Sequence, residues 1–216
     1  DFLIYMLSKV FACRLIFFVI AAYIGIWTIR IPDIKEQIGA SYLEIGFILM
    51  SFSIGSILLM TISNKLIKKF SSKKIININA YPIAATWLIM PFINNFFIFI
   101  IIAFLAGCTY GVYEVAMNFQ ASGIEKENKK PMMSGFHAFY SLGLLSGSLL
   151  SSYLVEKNIS LLLNVVLFLI ILLPINVISS KVLDEDKLIE EEKQKKNIFF
   201  IWPTIIFILI LVAVSD

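Results

Sequence analysis

The chain has 216 residues, 59% of them hydrophobic and 15% charged, with a formal net charge of +3. Soluble domains carry nearer ~25% charged residues, so a water-soluble globular domain is excluded as the main body of this protein. The basic excess lies in short segments beside apolar runs, which removes nucleic acid as a partner and leaves the lipid bilayer as the solvent.

Seven apolar stretches fill the sequence, at 10–29, 45–63, 75–95, 96–118, 133–154, 159–180 and 198–214. A helix rises ~1.5 Å per residue, so about 20 residues cross the ~30 Å hydrocarbon core. The first stretch is too long for a signal-peptide core and no A-x-A-like site follows it, so it reads as a retained span. It ends in Trp27-Thr28-Ile29-Arg30-Ile31-Pro32-Asp33. There Arg30 either snorkels outward or meets an acid in an outer vestibule, as a gate or interhelix polar contact. Trp27 and Trp202 read as members of the interfacial aromatic belt. Glu44 opens the second span as an N-terminal acid favoured by the helix dipole. Ser51 and Gly55 follow it four residues apart.

The connection between spans two and three carries Lys68, Lys69, Lys73 and Lys74. Spans three and four meet at Asn94-Asn95, a link so short that the two helices must be antiparallel neighbours. Along the fourth span Ala103, Gly107, Gly111, Glu114 and Asn118 recur at spacings of 4, 4, 3 and 4, hence on one helical face. Small residues on such a face let another backbone approach closely. Gly143, Gly147 and Ser151 form a similar seam on the fifth span, with His137, Ser141 and Ser148 on a second stripe. Cys13 and Cys108 lie in apolar helices without ligand spacing and read as inert core thiols.

A faint internal repeat links spans two and five. Gly46-Phe47 matches Gly135-Phe136, and Ile54-Gly55-Ser56-Ile57-Leu58 matches Ser146-Gly147-Ser148-Leu149-Leu150. Three helices repeated with inverted topology would produce such a match. The domain reading is therefore 1–180 as a six-helix bundle, 181–197 as a cytoplasmic linker and 198–216 as the start of a second domain. A start at Asp1 and a stop at Ser215-Asp216 suggest a fragment or a clipped frame, with the seventh helix truncated.

Loop charges orient the chain. With the N-terminus inside, one side collects Lys9, Arg14, the lysines at 65–74, those at 126–130 and those at 181–196. The other side keeps Arg30, Lys35 and Lys157 alone. The expectation is a multi-pass inner-membrane protein with a cytoplasmic N-terminus.

Glu114 is the sharpest chemical signal. It precedes Glu125, the first loop charge, by eleven residues, which places it roughly 15 Å inside the helix. An acid at that depth costs on the order of 2.5–3.5 kcal/mol on insertion scales, so it turns from lipid and suits a proton-coupling or a structural role. Asn118, one turn on, either binds a substrate hydroxyl or holds Glu114, and Gln120 lies on another face closer to the cytoplasm. His137, the one histidine, reads as a gate or interhelix contact, with Ser141 one turn away. A single histidine makes no metal site. No phosphate-cradling Gly loop, G-x-S-x-G elbow or Ser-His-Asp set is present, so neither enzyme, catalytic residue nor cofactor is expected.

Three stretches carry a family resemblance: Trp27-x-x-Arg30-Ile31-Pro32 with Leu43-x-x-Gly46; Gly111-x-x-Glu114-Val115-Ala116-Met117-Asn118-x-Gln120-Ala121; and Pro131-Met132-Met133-Ser134-x-Phe136-His137-Ala138-x-x-Ser141-x-Gly143. They resemble the N-terminal half of the major facilitator superfamily, in the bacterial inner-membrane branch close to the fucose permeases. The usual Gly-x-x-x-Asp-Arg-x-Gly signature would fall on Asn64, Lys68, Lys69 and Ser71, where only the basic position is kept. The resemblance implies an all-α fold, a partner C-terminal six-helix domain, and alternating-access transport of a small polar solute, for instance a sugar. It further implies H⁺ coupling through Glu114, with Asn118 and Gln120 nearby. The second acid of that branch would fall near Thr28. The alternative is a truncated, non-transporting membrane protein or a structural membrane partner.

Overall fold

A computed structural model describes residues 8–186. The expected seventh helix, the linker beyond residue 186 and Trp202 lie outside the described residues. Six helices make up the rest: α1 Lys9–Gln37, α2 Tyr42–Phe70, α3 Ser72–Ile89 with a 3-10 turn Met90–Phe92, α4 Phe96–Asn128, α5 Met133–Glu156 and α6 Leu161–Val182. Each of the six is long and apolar enough to cross a membrane, and there is no strand among the described residues.

Most helices overrun the apolar stretches that announce them, because capping groups rather than hydropathy set their ends. Ser8, Ser41, Asn95 and Ser160 each accept a backbone N–H from the first turn of the helix they precede. Ser41 and Glu44 form a reciprocal capping box, so Glu44 is the N-terminal acid its position suggests. Gly39 turns the chain between α1 and α2 at φ 64°, a conformation that costs glycine little. Between α2 and α3 there is no loop beyond Ser71 itself. Lys68 and Lys69 belong to the last turn of α2, where the helix dipole favours them, and Lys73 and Lys74 to the first turn of α3. The Glu125 carboxylate of α4 accepts the N–H groups of Met132 (2.5 Å) and Met133 (2.7 Å), which caps α5 from its neighbour.

The closest packing joins helices that are not consecutive. The α2–α4 and α1–α5 pairs run parallel, and α3 and α6 lie against α4 and α1 respectively and against each other. Glycine makes both seams possible. A Cβ on Gly107 would stand 1.9 Å from Phe52 O, and one on Gly55 would stand 2.2 Å from Phe104 O. In the other seam, Cβ atoms on Gly143, Gly147 and Gly25 would lie 2.1 Å from Phe18 O, 2.3 Å from Ala22 O and 2.5 Å from Leu144 O. Without a hydrophobic drive between helices in lipid, such backbone approach supplies the dispersion contact that holds the pair.

The two seams obey one register. Phe18, Ala22 and Gly25 of α1 correspond to Ile100, Phe104 and Gly107 of α4, a constant offset of 82 in residue number. Gly143, Leu144 and Gly147 of α5 correspond to Ser51, Phe52 and Gly55 of α2, an offset of 92. All three contacts map across, including the small residue Ser51, whose hydroxyl donates to Ile100 O at 3.0 Å where Gly143 meets Phe18 O. The bundle is an inverted repeat of α1–α3 and α4–α6. The Gly55/Gly147 half of the sequence match follows this register. The Gly46/Gly135 half, with an offset of 89, does not: a Cβ on Gly46 would meet nothing within 4 Å, whereas one on Gly135 would lie 3.3 Å from the Arg14 guanidinium.

Candidate functional site

Few contacts join the consecutive helices α4 and α5, which face each other antiparallel across a gap. A pair of tyrosine hydroxyls bridges it. Tyr110 and Tyr140 hydrogen-bond through their hydroxyls at 3.1 Å. One turn nearer the lysine-rich end, Glu114 and His137 lie within Coulomb range of each other, and the Glu114 charge also reaches both tyrosines. Glu114 is half-buried, and its carboxylate has no hydrogen-bond partner among the described residues. Phe17 of α1 packs edge-on against the imidazole, with ring centroids 5.4 Å apart.

The remaining residues singled out by sequence fall in several places. Asn118 is half-buried one turn below Glu114 and donates its amide to the Glu114 backbone carbonyl at 2.9 Å, which leaves its own oxygen as an acceptor. Ser141 is exposed and donates to His137 O at 3.2 Å. Gln120 lies away from this cluster. It is buried, and its amide donates to Ser72 Oγ (2.8 Å), Asp184 O (3.0 Å) and Asp186 Oδ1 (3.2 Å), tying α4 to the start of α3 and the segment after α6.

Arg30 does not snorkel. It is 3% exposed and spends its donors on Asn164 Oδ1 (2.7 Å), Asp33 Oδ2 (2.6 Å) and Ile159 O (2.8 Å), an interhelix staple between α1 and α6. Ser151 adds a fourth strand to that staple by donating to the same Asn164 oxygen at 2.8 Å. Trp27, half-buried, packs on Phe99 of α4, with centroids 6.2 Å apart.

Sequence reasoning passed over the tyrosine pair. Tyr110 and Tyr140 sit four residues before Glu114 and three after His137, and a search for polar residues at helical spacing around the acid would have found both. No cluster of three metal-ligating side chains occurs among the described residues. The arrangement is a half-buried acid facing an imidazole, with two hydroxyls beside them. It suits proton exchange and hydrogen bonding to a polar solute.

The sequence profile of the Major Facilitator Superfamily matches residues 12–215. The chain belongs to that superfamily. Among curated proteins it is 29% identical over 174 residues to an uncharacterised MFS-type transporter of Yersinia pestis, covering 79% of this chain and 45% of that protein. It is 26% identical over 125 residues to an uncharacterised transporter of Sinorhizobium fredii, covering 58% and 33%. A third relative, the membrane protein MosC of Rhizobium meliloti, is 24% identical over 131 residues, covering 61% and 32%. The chain thus spans less than half the length of each of these relatives. With six spanning helices and this family, it is a multi-pass membrane protein of major facilitator type.

Proposed function

We propose that this chain provides the N-terminal six-helix half of a secondary active transporter. It moves a small polar solute, coupled to H⁺, by alternating access. The observation that carries the reading is Glu114: an acid deep in α4, without a hydrogen-bond partner among the described residues, facing His137 across the α4–α5 gap. In the protonated form the carboxyl donates a hydrogen bond; ionised, it only accepts. The two states present different hydrogen-bonding faces to a solute held by Tyr110 and Tyr140. Differential binding of that kind is what a coupled carrier requires.

The lysine-rich end is assigned to the cytoplasm and the membrane to the inner membrane. The exposed apolar faces of α2 and α5 are related by the repeat: Met50, Ile57 and Leu58 correspond to Leu142, Leu149 and Leu150. They offer paired surfaces for a second six-helix half. Sugars are the first solute class to test, since the hydroxyls of a sugar match the Tyr110, Tyr140 and Asn118 groups. Uptake of a panel of radiolabelled sugars and other polar metabolites is measured in cells expressing the protein, with and without a protonophore. Accumulation that collapses with the protonophore is the expected result. Accumulation indifferent to it would remove H⁺ coupling, and no uptake across the panel would remove the solute class.

A further inference from the structure

The inverted repeat generates a second gap, between α1 and α2, equivalent to the one that holds Glu114. Here too the consecutive helices barely touch. By the offset of 92, Ile48 and Leu49 stand where the α4–α5 gap has Tyr140 and Ser141. The gap is therefore apolar, and it opens into a cavity of 260 Å³ reaching α3 and α4. Aromatic rings form its walls: Tyr23 stacks on Trp87 (5.5 Å), Trp27 tilts against Phe99 (6.2 Å) and Phe52 against Tyr110 (5.4 Å).

None of the lining residues is charged. The hydroxyls of Ser53, Thr86 and Thr109 donate to carbonyls of their own helices at 2.8–2.9 Å, so their protons are already committed. The indole N–H groups of Trp27 and Trp87 and the Tyr23 hydroxyl make no hydrogen bond among the described residues. The lining thus offers flat ring faces and spare donors, and no charge. A smaller apolar cavity of ~150 Å³ in another protein stays dry and binds benzene, so this one accommodates a bicyclic ring.

We infer that the α1–α2 cavity is a binding site for a neutral, flat, apolar ring system bearing a hydrogen-bond acceptor, adjoining the polar Glu114 site at Tyr110. This inference stands apart from the transport reading, since no charged group enters it. Tyr110 is the one residue that touches both places, with its ring in the cavity wall and its hydroxyl on Tyr140.

The test uses the purified full chain in detergent, with 2-naphthol as probe and tryptophan fluorescence as readout, because Trp27 and Trp87 both line the cavity. Saturable quenching is expected. Ala106→Phe fills the cavity and is expected to weaken binding about tenfold or more, a loss of ~1.4 kcal/mol. Thr86→Leu, a smaller intrusion from α3, should weaken it in the same direction, and covers the case in which the phenylalanine variant fails to fold. Leu150→Phe, on the exposed face of α5, should bind as the parent does. Naphthol binding is read without added solute or proton gradient, which keeps this outcome distinct from failure of the transport reading. Linear, non-saturating quenching, or equal affinity in the folded cavity variants and the parent, would overturn the proposal.

Discussion

Gly107→Ala adds one methyl group to the tightest point in the bundle, and its effect can be worked from the geometry. The new Cβ would stand 1.9 Å from Phe52 O and 2.8 Å from Phe52 C, both main-chain atoms that cannot swing aside. Ordinary contact begins at 3.4 Å, so α2 and α4 must part by up to 1.5 Å (3.4 less 1.9) at this level. A gap of even ~0.5–1 Å forfeits a quarter to a half of each dispersion contact along the seam. Overpacking of this kind costs about 1–3 kcal/mol. The same substitution at Gly46 or Gly123 meets nothing within 4 Å and should gain up to ~1 kcal/mol of helix propensity. Thermal unfolding in detergent, followed by circular dichroism, separates the two classes, at about 2–4 °C per kcal/mol for a domain of this size. Gly25→Ala, the repeat-related position, should behave like Gly107→Ala. If Gly107→Ala melted at or above Gly46→Ala, the close-approach seams and the register drawn from them would both fail.

Other perturbations follow from single contacts. Arg30→Leu removes the donor to Asp33 and Ile159 and one of the two donors to Asn164; leaving such partly buried acceptors short costs roughly 1–3 kcal/mol. The loss is read as a lower melting temperature, and an unchanged one would show that the staple contributes little. Glu125→Gln weakens the cap on α5 and should lower the melting temperature, with the difference from the parent shrinking as salt is raised. Gln120→Leu removes the donor shared by Ser72, Asp184 and Asp186, so hydrogen exchange at Ser72 should accelerate while that at Glu114 stays as in the parent.

The spans were legible because each is a long apolar run with at most one charge (Arg14 in the first, Glu114 in the fourth), and the bilayer imposes its thickness on such runs. Their ends were not, since α1 continues through Pro32 to Gln37 and α4 through Glu125 to Asn128, where caps and a left-handed Lys129 stop them. The glycine seams at 107 and 111 and at 143 and 147 were visible as spacings. Their partners were not: apolar helices carry no mark of which neighbour a small stripe will meet, and both meet parallel helices remote in sequence. Glu114 and His137 come within Coulomb range of each other across the α4–α5 gap, with Asn118 one turn along α4 bonded to its own helix. Gln120 and Arg30 are equally polar but serve buried backbone and amide groups, a distinction only tertiary contacts reveal.

Glu114→Gln tests the central claim most directly, with solute exchange and uphill uptake measured on the same membranes. Glutamine keeps the shape and a hydrogen-bonding group but cannot release a proton. The account predicts that proton-driven accumulation is lost while exchange of labelled for unlabelled solute persists. Full accumulation by the variant would contradict it and take the acid out of the mechanism.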